Sequence, residues 1–465
     1  MPRTLRTASL ALGLLLTGCV HQPSAPGDPE CTALFAARDA ASAQSSDGQY
    51  RRLEGFSGLR SDRLLAALGR RASSPAQRRL WLRQLAERDA EASRIELGNL
   101  PPAVQADWLG PQQQARLASC QAAQVERLSR DPEAFAQALV AARVPDDYNG
   151  WARIFGAYPL FEPVYRRGIA AWQAQASRVT APPDSAQWLA YQPLESTAAP
   201  LGPVRQDALG LPQPSAEQRA ALFARHAPTL RIEQLGRADR LGSPGFDRAG
   251  RSFDTQAPQL YQHLGWSWLE GRWRLQLVYQ LWFSHRPKPQ PLDLYGGELD
   301  GLIWRVTLGD QGDAWLYDAI HPCGCWHAFF LPSDSPLRFR QPADQEARQA
   351  RRLAQDGRRA ATLWLTGGEH ALAWVDDRRP AYPAIGYRRG ELDQLRQLPH
   401  PLGRRSLYEA DGLVAGSERL ERWLLWPSGV PSPGAMRQWG RHATAFVGRA
   451  QFDDPHLLER YFSVP

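Results

Sequence analysis

Trp273-Arg-Leu-Gln-Leu-Val-Tyr-Gln-Leu-Trp-Phe283 carries an alternation that suits an extended chain. Trp273, Leu275, Leu277, Tyr279, Leu281 and Phe283 fall on one side, and Arg274, Gln276, Val278, Gln280 and Trp282 on the other. Successive side chains of a strand point to opposite faces, so this period of two predicts a strand with one apolar face. Leu302, Trp304, Val306 and Leu308 repeat the pattern downstream. Gly309-Asp-Gln-Gly-Asp313 then reads as a turn, and Trp315-Leu-Tyr317 opens a third strand. Three such segments joined by turns predict an antiparallel meander. Further short strands are expected over 362–365, 371–375, 385–387 and 423–426, and a helix over 455–461. The run Trp423-Leu-Leu-Trp426 is read as a core strand.

Upstream the period changes. Residues 31–175 read as helical. Ser74-Pro75 and Asp131-Pro132 each place a capping side chain before a proline at the first helical position. Trp81, Leu82, Leu85 and Ala86 mark the buried side of the helix that Ser74 opens, and Leu117, Val125 and Leu128 that of a later one. Residues 176–215 hold Pro182, Pro183, Pro193, Pro200, Pro203, Pro212 and Pro214 without sustained periodicity, and read as a linker. The expected fold class is α+β: a helical domain over 31–175, a Pro-rich linker over 176–215, and a mainly antiparallel β domain over 216–465.

At 43% hydrophobic and 22% charged, the chain can build packed cores, which excludes the disordered class. Its net charge is +7, and Lys288 is the only lysine. The arginine pairs Arg70-Arg71, Arg78-Arg79, Arg166-Arg167 and Arg404-Arg405 are scattered among acids rather than gathered in one stripe. That pattern describes solvated surfaces, and no nucleic-acid partner is expected.

The N-terminus has a different character. Met1 to Arg6 is short and basic, and Ala8-Ser-Leu-Ala-Leu-Gly-Leu-Leu-Leu16 is apolar but shorter than the ~20 residues a membrane span needs. Leu16-Thr-Gly-Cys19 follows directly. This arrangement resembles the lipobox of bacterial lipoproteins. The resemblance implies cleavage before Cys19, lipid on the Cys19 sulfur and acylation of the new amine, and so a membrane partner through the lipid anchor. Residues 1–18 are then a signal peptide and 19–30 a tether. Val20, where enteric lipoproteins retained at the inner membrane carry aspartate, implies the outer membrane and its periplasmic face.

With Cys19 assigned to lipid, four cysteines remain. In an oxidising compartment they can pair in three ways, and Cys31 with Cys120 is the expected disulfide, both lying on helices of one domain. Cys323 and Cys325 belong to His321-Pro-Cys-Gly-Cys-Trp-His327. Zinc accepts histidine and cysteine, so His321, Cys323, Cys325 and His327 are candidate metal ligands. On an extended strand the four would spread over ~20 Å, beyond one ion, and convergence would need bends at Pro322 and Gly324. A Cys323–Cys325 disulfide is a second reading, and an ordinary tight turn a third.

The meander also converges elsewhere. Its first strand exits at Ser284-His285-Arg286, the second begins at Glu298-Leu-Asp300, and the third exits before His321. Antiparallel geometry therefore brings His285, Glu298, Asp300 and His321 to one end of the sheet. Glu298 and Asp300 could divide general acid and base roles, with His285 beside them. Gly367-Gly-Glu-His370 lacks the second histidine of a helical zinc-protease motif and carries no assignment. His442 is a further residue that could complete a site.

Val144-Pro-Asp-Asp-Tyr148, Leu299-Asp-Gly-Leu-Ile-Trp-Arg-Val-Thr-Leu308 and Tyr317-Asp-Ala-Ile-His-Pro-Cys-Gly-Cys-Trp-His327 resemble segments of proteobacterial lipoproteins that have no assigned activity. Two functions are therefore expected in order. The first is a lipid-anchored envelope protein with a binding or assembly role, its partner an envelope protein or glycan. The second is a metal-dependent hydrolase of an envelope substrate. A large exposed apolar patch on the helical domain would favour the first.

Overall fold

A computed structural model describes residues 27–179, 181, 187–194, 202–380 and 383–464. The leader, Cys19 and most of the tether lie outside the described residues. The chain is α+β, as its periodicities predict. Helices α1 (Pro29–Ala41), α2 (Arg63–Gly69), α3 (Pro75–Gly98), α4 (Pro102–Leu109), α5 (Pro111–Arg130), α6 (Pro132–Ala141), α7 (Gly150–Phe155) and α8 (Tyr158–Ser177) form the N-terminal part. Ser74 caps α3 in a reciprocal box with Gln77, and Asp131 accepts from the amides of Glu133 and Ala134 at the start of α6. Trp81, Leu82 and Leu85 bury against Leu65, Leu68, Leu128 and Phe135, with Trp81 edge-on to Phe135. Cys31 and Cys120 are joined in a disulfide that ties α1 to α5. Beneath it lies a buried ion network: Arg38 to Asp89 at 2.7 Å, and Arg60 to Asp89 and Glu96 at 3.2 and 2.6 Å.

The rest is organised by one mixed sheet of eleven strands. In chain order these are β1 (Trp188–Pro193), β2 (Thr229–Glu233), β3 (Gln259–Leu269), β4 (Arg272–Arg286), β5 (Gly297–Leu308), β6 (Ala314–Ile320), β7 (Ala328–Leu331), β8 (Ala350–Arg352), β9 (Thr362–Leu365), β10 (Leu372–Asp376) and β11 (Ile385–Glu391). Across the sheet they run β8-β7-β6-β5-β4-β3-β11-β1-β2-β9-β10. The centre is the expected antiparallel meander, with Leu281 opposite Leu302 and Ile303 opposite Ile320. Strand β3 joins β4 through Glu270-Gly271, both at positive φ, which suits the twist of a two-residue hairpin. Strand β11 splices two halves: residues 385–387 pair with β1 and 388–391 with β3, parallel in both cases.

The apolar face of β4 packs as read. Leu275, Leu277, Tyr279, Leu281 and Phe283 enter the main core with Leu302, Trp304 and Val306, under Leu222 and Phe223 of α9 (Ala216–His226). The opposite face, which carries Arg274, Gln276, Val278, Gln280 and Trp282, is buried as well. The C-terminal segment contributes to that cover. Phe452 packs on Val278, Ile303 and Ile320, and its carbonyl receives Arg305.

Two expectations need correction. The span 176–215 is more than a linker, because β1 lies inside it and pairs with β2 and β11 within the sheet. Leu209 and Leu211 join the helical core together with Trp273 of β4, so helices and sheet share apolar packing. Second, 423–426 is no strand. It forms the short helix α10 (Arg422–Leu425), with Trp423 and Leu424 exposed. A four-residue apolar run has the same sequence signature in either conformation. The helix expected over 455–461 is present as Leu457–Tyr461.

Candidate functional site

The end of the meander holds the predicted convergence, and the structure divides it in two. Strands β4 and β5 place Phe283 opposite Asp300 and His285 opposite Glu298, with Leu299 between them at φ +53°. His321 follows the last residue of β6 at the same end. Asp300 and His321 are buried, whereas His285 and Glu298 reach solvent.

The buried half is a line of alternating imidazoles and carboxylates. His321 Nδ1 lies 3.4 Å from Asp300 Oδ1, and His370 Nδ1 lies 2.8 Å from Asp300 Oδ2. The other nitrogen of His370 is 3.2 Å from Asp239 Oδ1, a charge contact without hydrogen-bond alignment. Asp239 accepts the backbone N–H groups of Leu235, Gly236 and Gly368 at 2.8, 2.7 and 2.6 Å. His370 comes from the β9–β10 loop at φ +52° and lies flat on Phe283, ring centroids 3.9 Å apart. Burial alone would raise the Asp300 pKa, but hydrogen bonds with His321 and His370 hold it well below the ordinary carboxylate range. Burial opposes charge on His370 too, and Asp239 and Asp300 overcome it and raise its pKa. The two carboxylates on either side thus favour the charged form of the His370 imidazole between them. Sequence reading missed Asp239 and His370. The only local signal is Gly367-Gly368 ahead of His370, a backbone able to turn a side chain inward.

The solvent half is a cleft of 460 Å³ lined by Arg251, His285, Arg286, Lys288, Glu298 and Glu418 among others. Glu298 pairs with Arg251, Arg286 with Glu369 at 3.4 Å, and His285 Nδ1 with Ser284 Oγ at 3.0 Å. The floor is fixed by Arg419, which donates to the carbonyls of Glu298 and Leu299. Glu298 and Asp300 therefore face different surroundings, one a half-buried arginine at the cleft and the other two buried imidazoles. They do not flank one space.

The four candidate metal ligands are likewise dispersed. His321 is held by Asp300. His327 is buried between Asp318, 2.8 Å from its Nε2, and Arg348 at its Nδ1. Asp318 is itself paired with Arg305. Cys323 and Cys325 are free thiols beside one another, so neither the metal cluster nor the second disulfide forms here. Among the described residues no group of three or more His, Cys, Asp or Glu is placed to hold a metal ion. The segment is a tight turn that sets the two thiols together, while Asp300 engages His321 and Asp318 with Arg348 engages His327. His442 is buried away from water, and its pKa is pushed down to about 3 by desolvation.

A second surface stands out on the helical side. Trp151, Ile154 and Phe155 of α7 are exposed, as are Leu160, Phe161 and Val164 of α8 and Trp423, Leu424 and Trp426 beside them. The spacings 151/154/155 and 160/161/164 put each set on one helix face. Both helices pack on the turn Trp426–Ser428 that α10 leads into, so the three exposed sets lie on neighbouring elements. Arg153 is spent inward, donating to the carbonyls of Ser428 and Gly448. Trp151 alone is 69% exposed and Phe155 76%. With about 150–250 Å² per ring, the patch amounts to an area on the order of 1,000 Å². Monomers ordinarily expose no apolar patch above roughly 300–600 Å².

No protein-family model, curated protein or solved structure matches the chain. Among the described residues no helix is long and apolar enough to cross a membrane.

Proposed function

We propose that this chain is a lipid-anchored cell-envelope protein, held by Cys19 at the periplasmic face of the outer membrane, with a binding or assembly role exerted through the apolar surface of α7, α8 and α10. The carrying observation is the exposure of Trp151, Ile154, Phe155, Leu160, Val164, Trp423 and Leu424. The occupant is an envelope protein with a complementary apolar face. A standard interface buries about 800 Å² on each partner, which this area meets. Its Trp- and Phe-rich centre has the composition of interface hot spots. The leader and the Leu16-Thr-Gly-Cys19 motif support the address. The hydrolase alternative draws less support, since it needs Glu298 and Asp300 at one substrate.

The test is a photo-crosslinking residue at position 155 in cells, with intact-mass analysis of Cys19. The reading expects a diacylglyceryl thioether and one defined protein adduct that Trp423→Arg abolishes. An adduct with lipid alone, or with a second copy of the chain alone, overturns the assigned partner. An unmodified Cys19 overturns the anchor.

A further inference from the structure

The turn after β6 holds the two thiols with no role in the reading above. It is closed by His321 N–H donating to the Cys325 carbonyl at 3.0 Å and Gly324 N–H donating to the His321 carbonyl at 2.8 Å. Gly324 sits at φ +91°, and a Cβ there would meet the Ala443 carbonyl, so the backbone between the cysteines is fixed. The Cys323 sulfur accepts from the Cys325 amide at 3.4 Å, and the Cys325 thiol donates to it as well. Two donors on one sulfur favour its thiolate. Arg437 grips the Cys323 carbonyl through Nε at 3.0 Å, bringing a permanent cation to the turn. The same hydrogen bond that lowers the Cys323 pKa raises that of Cys325. Cys323 is 7% exposed, and Cys325 is more open to solvent.

We infer that Cys323 and Cys325 form a redox-active dithiol that exchanges with a disulfide of another molecule. The Cys323 sulfur, in its thiolate form, attacks one sulfur of the incoming disulfide RSSR, while Cys325 keeps its proton. This forms a mixed disulfide and expels RS⁻. Cys325 then attacks the Cys323 sulfur, closes the Cys323–Cys325 bond and releases the second R group as RSH with the Cys325 proton. The chain loses two electrons and RSSR gains two. The ring around one glycine is small, and strained bridges are the oxidising, labile ones, so the bond reopens readily when thiol is supplied. Two free thiols one residue apart, joined by a hydrogen bond, differ from a structural bridge such as Cys31–Cys120, which closes a separation of 89 residues.

The experiment uses the full mature chain in detergent, equilibrated with glutathione and glutathione disulfide over a range of ratios. It is quenched in acid, alkylated and mapped by peptide mass. Loss of both thiols together in one two-electron step, with Cys31–Cys120 unchanged, is the expected result. Cys325→Ser should accumulate a glutathione adduct on Cys323 at least tenfold faster than Cys323→Ser accumulates one on Cys325. Thiols that remain alkylatable at every ratio overturn the proposal, as do equal adducts on the two single variants. Near-UV circular dichroism of each variant reports folding, and Cys323→Ala or Cys325→Ala replaces the serine variant at that position if it does not fold.

Discussion

His370 and Asp300 meet at 2.8 Å although 70 residues separate them in the chain. The contact joins the β9–β10 loop to the start of β5, and both groups are removed from water. A buried charge that loses its partner is costly, typically by about 3–5 kcal/mol. Asp300→Asn keeps the volume and removes the charge. The variant should lose stability on that scale in a denaturant titration and show His370 with a lower pKa by NMR. Unchanged stability would show that the line is not a charged network.

His226 gives a pH dependence of defined sign. It is the buried last residue of α9 with Nε2 2.8 Å from the Gly312 carbonyl, and desolvation pushes its pKa down to about 4. The unfolded chain binds a proton near pH 6.5 and the folded chain does not. The stability it contributes is whole above pH 6.5 and is lost as pH falls from there toward 4. At pH 5 the loss is about 2 kcal/mol. His226→Gln should lose less stability than the parent between pH 7 and pH 5 by that amount. Identical losses in the two proteins would refute the assignment.

The bridge between α1 and α5 should matter chiefly through the unfolded chain. Closing a separation of 89 residues removes conformational freedom on the order of 4 kcal/mol in the chain-entropy account. Replacing both Cys31 and Cys120 by serine should lower the melting temperature, with the helical part opening first by hydrogen exchange. Uniform protection across helices and sheet would argue against it.

Phe155→Arg and Trp423→Arg touch side chains that already face solvent. Each should leave stability within about 0.5 kcal/mol, because surface changes away from buried features do so. Each should also abolish partner binding. A large drop in melting temperature would mean that the patch is packed rather than presented.

These outcomes reflect what the sequence could convey. The strand from Trp273 to Phe283 declares its period, and with it the direction of the meander and the shared end of His285, Glu298, Asp300 and His321. Capped helices declare themselves through Ser74-Pro75 and Asp131-Pro132. Asp239 and His370 do not, because they reach Asp300 only through β2 and β9, whose parallel pairing is non-local. Nor could spacing tell that Asp300 is buried and Glu298 exposed, since that depends on which segments cover each end of β5. Trp423-Leu-Leu-Trp426 reads as core on apolar character alone, and surfaces too carry apolar side chains.

Strand β11 is the last of the eleven to leave the ribosome, yet it occupies an interior position, with β3 on one flank and β1 on the other. The nascent chain can zip β3 to β8 into one ribbon and β1, β2, β9 and β10 into another, but it cannot weld them until residue 391 has emerged. Until then each ribbon presents a naked margin of amides and carbonyls, the kind of template on which foreign strands assemble. Maturation of this molecule is therefore a late keystone event, and a chain cut short before residue 385 should cluster instead of yielding a smaller version of the whole.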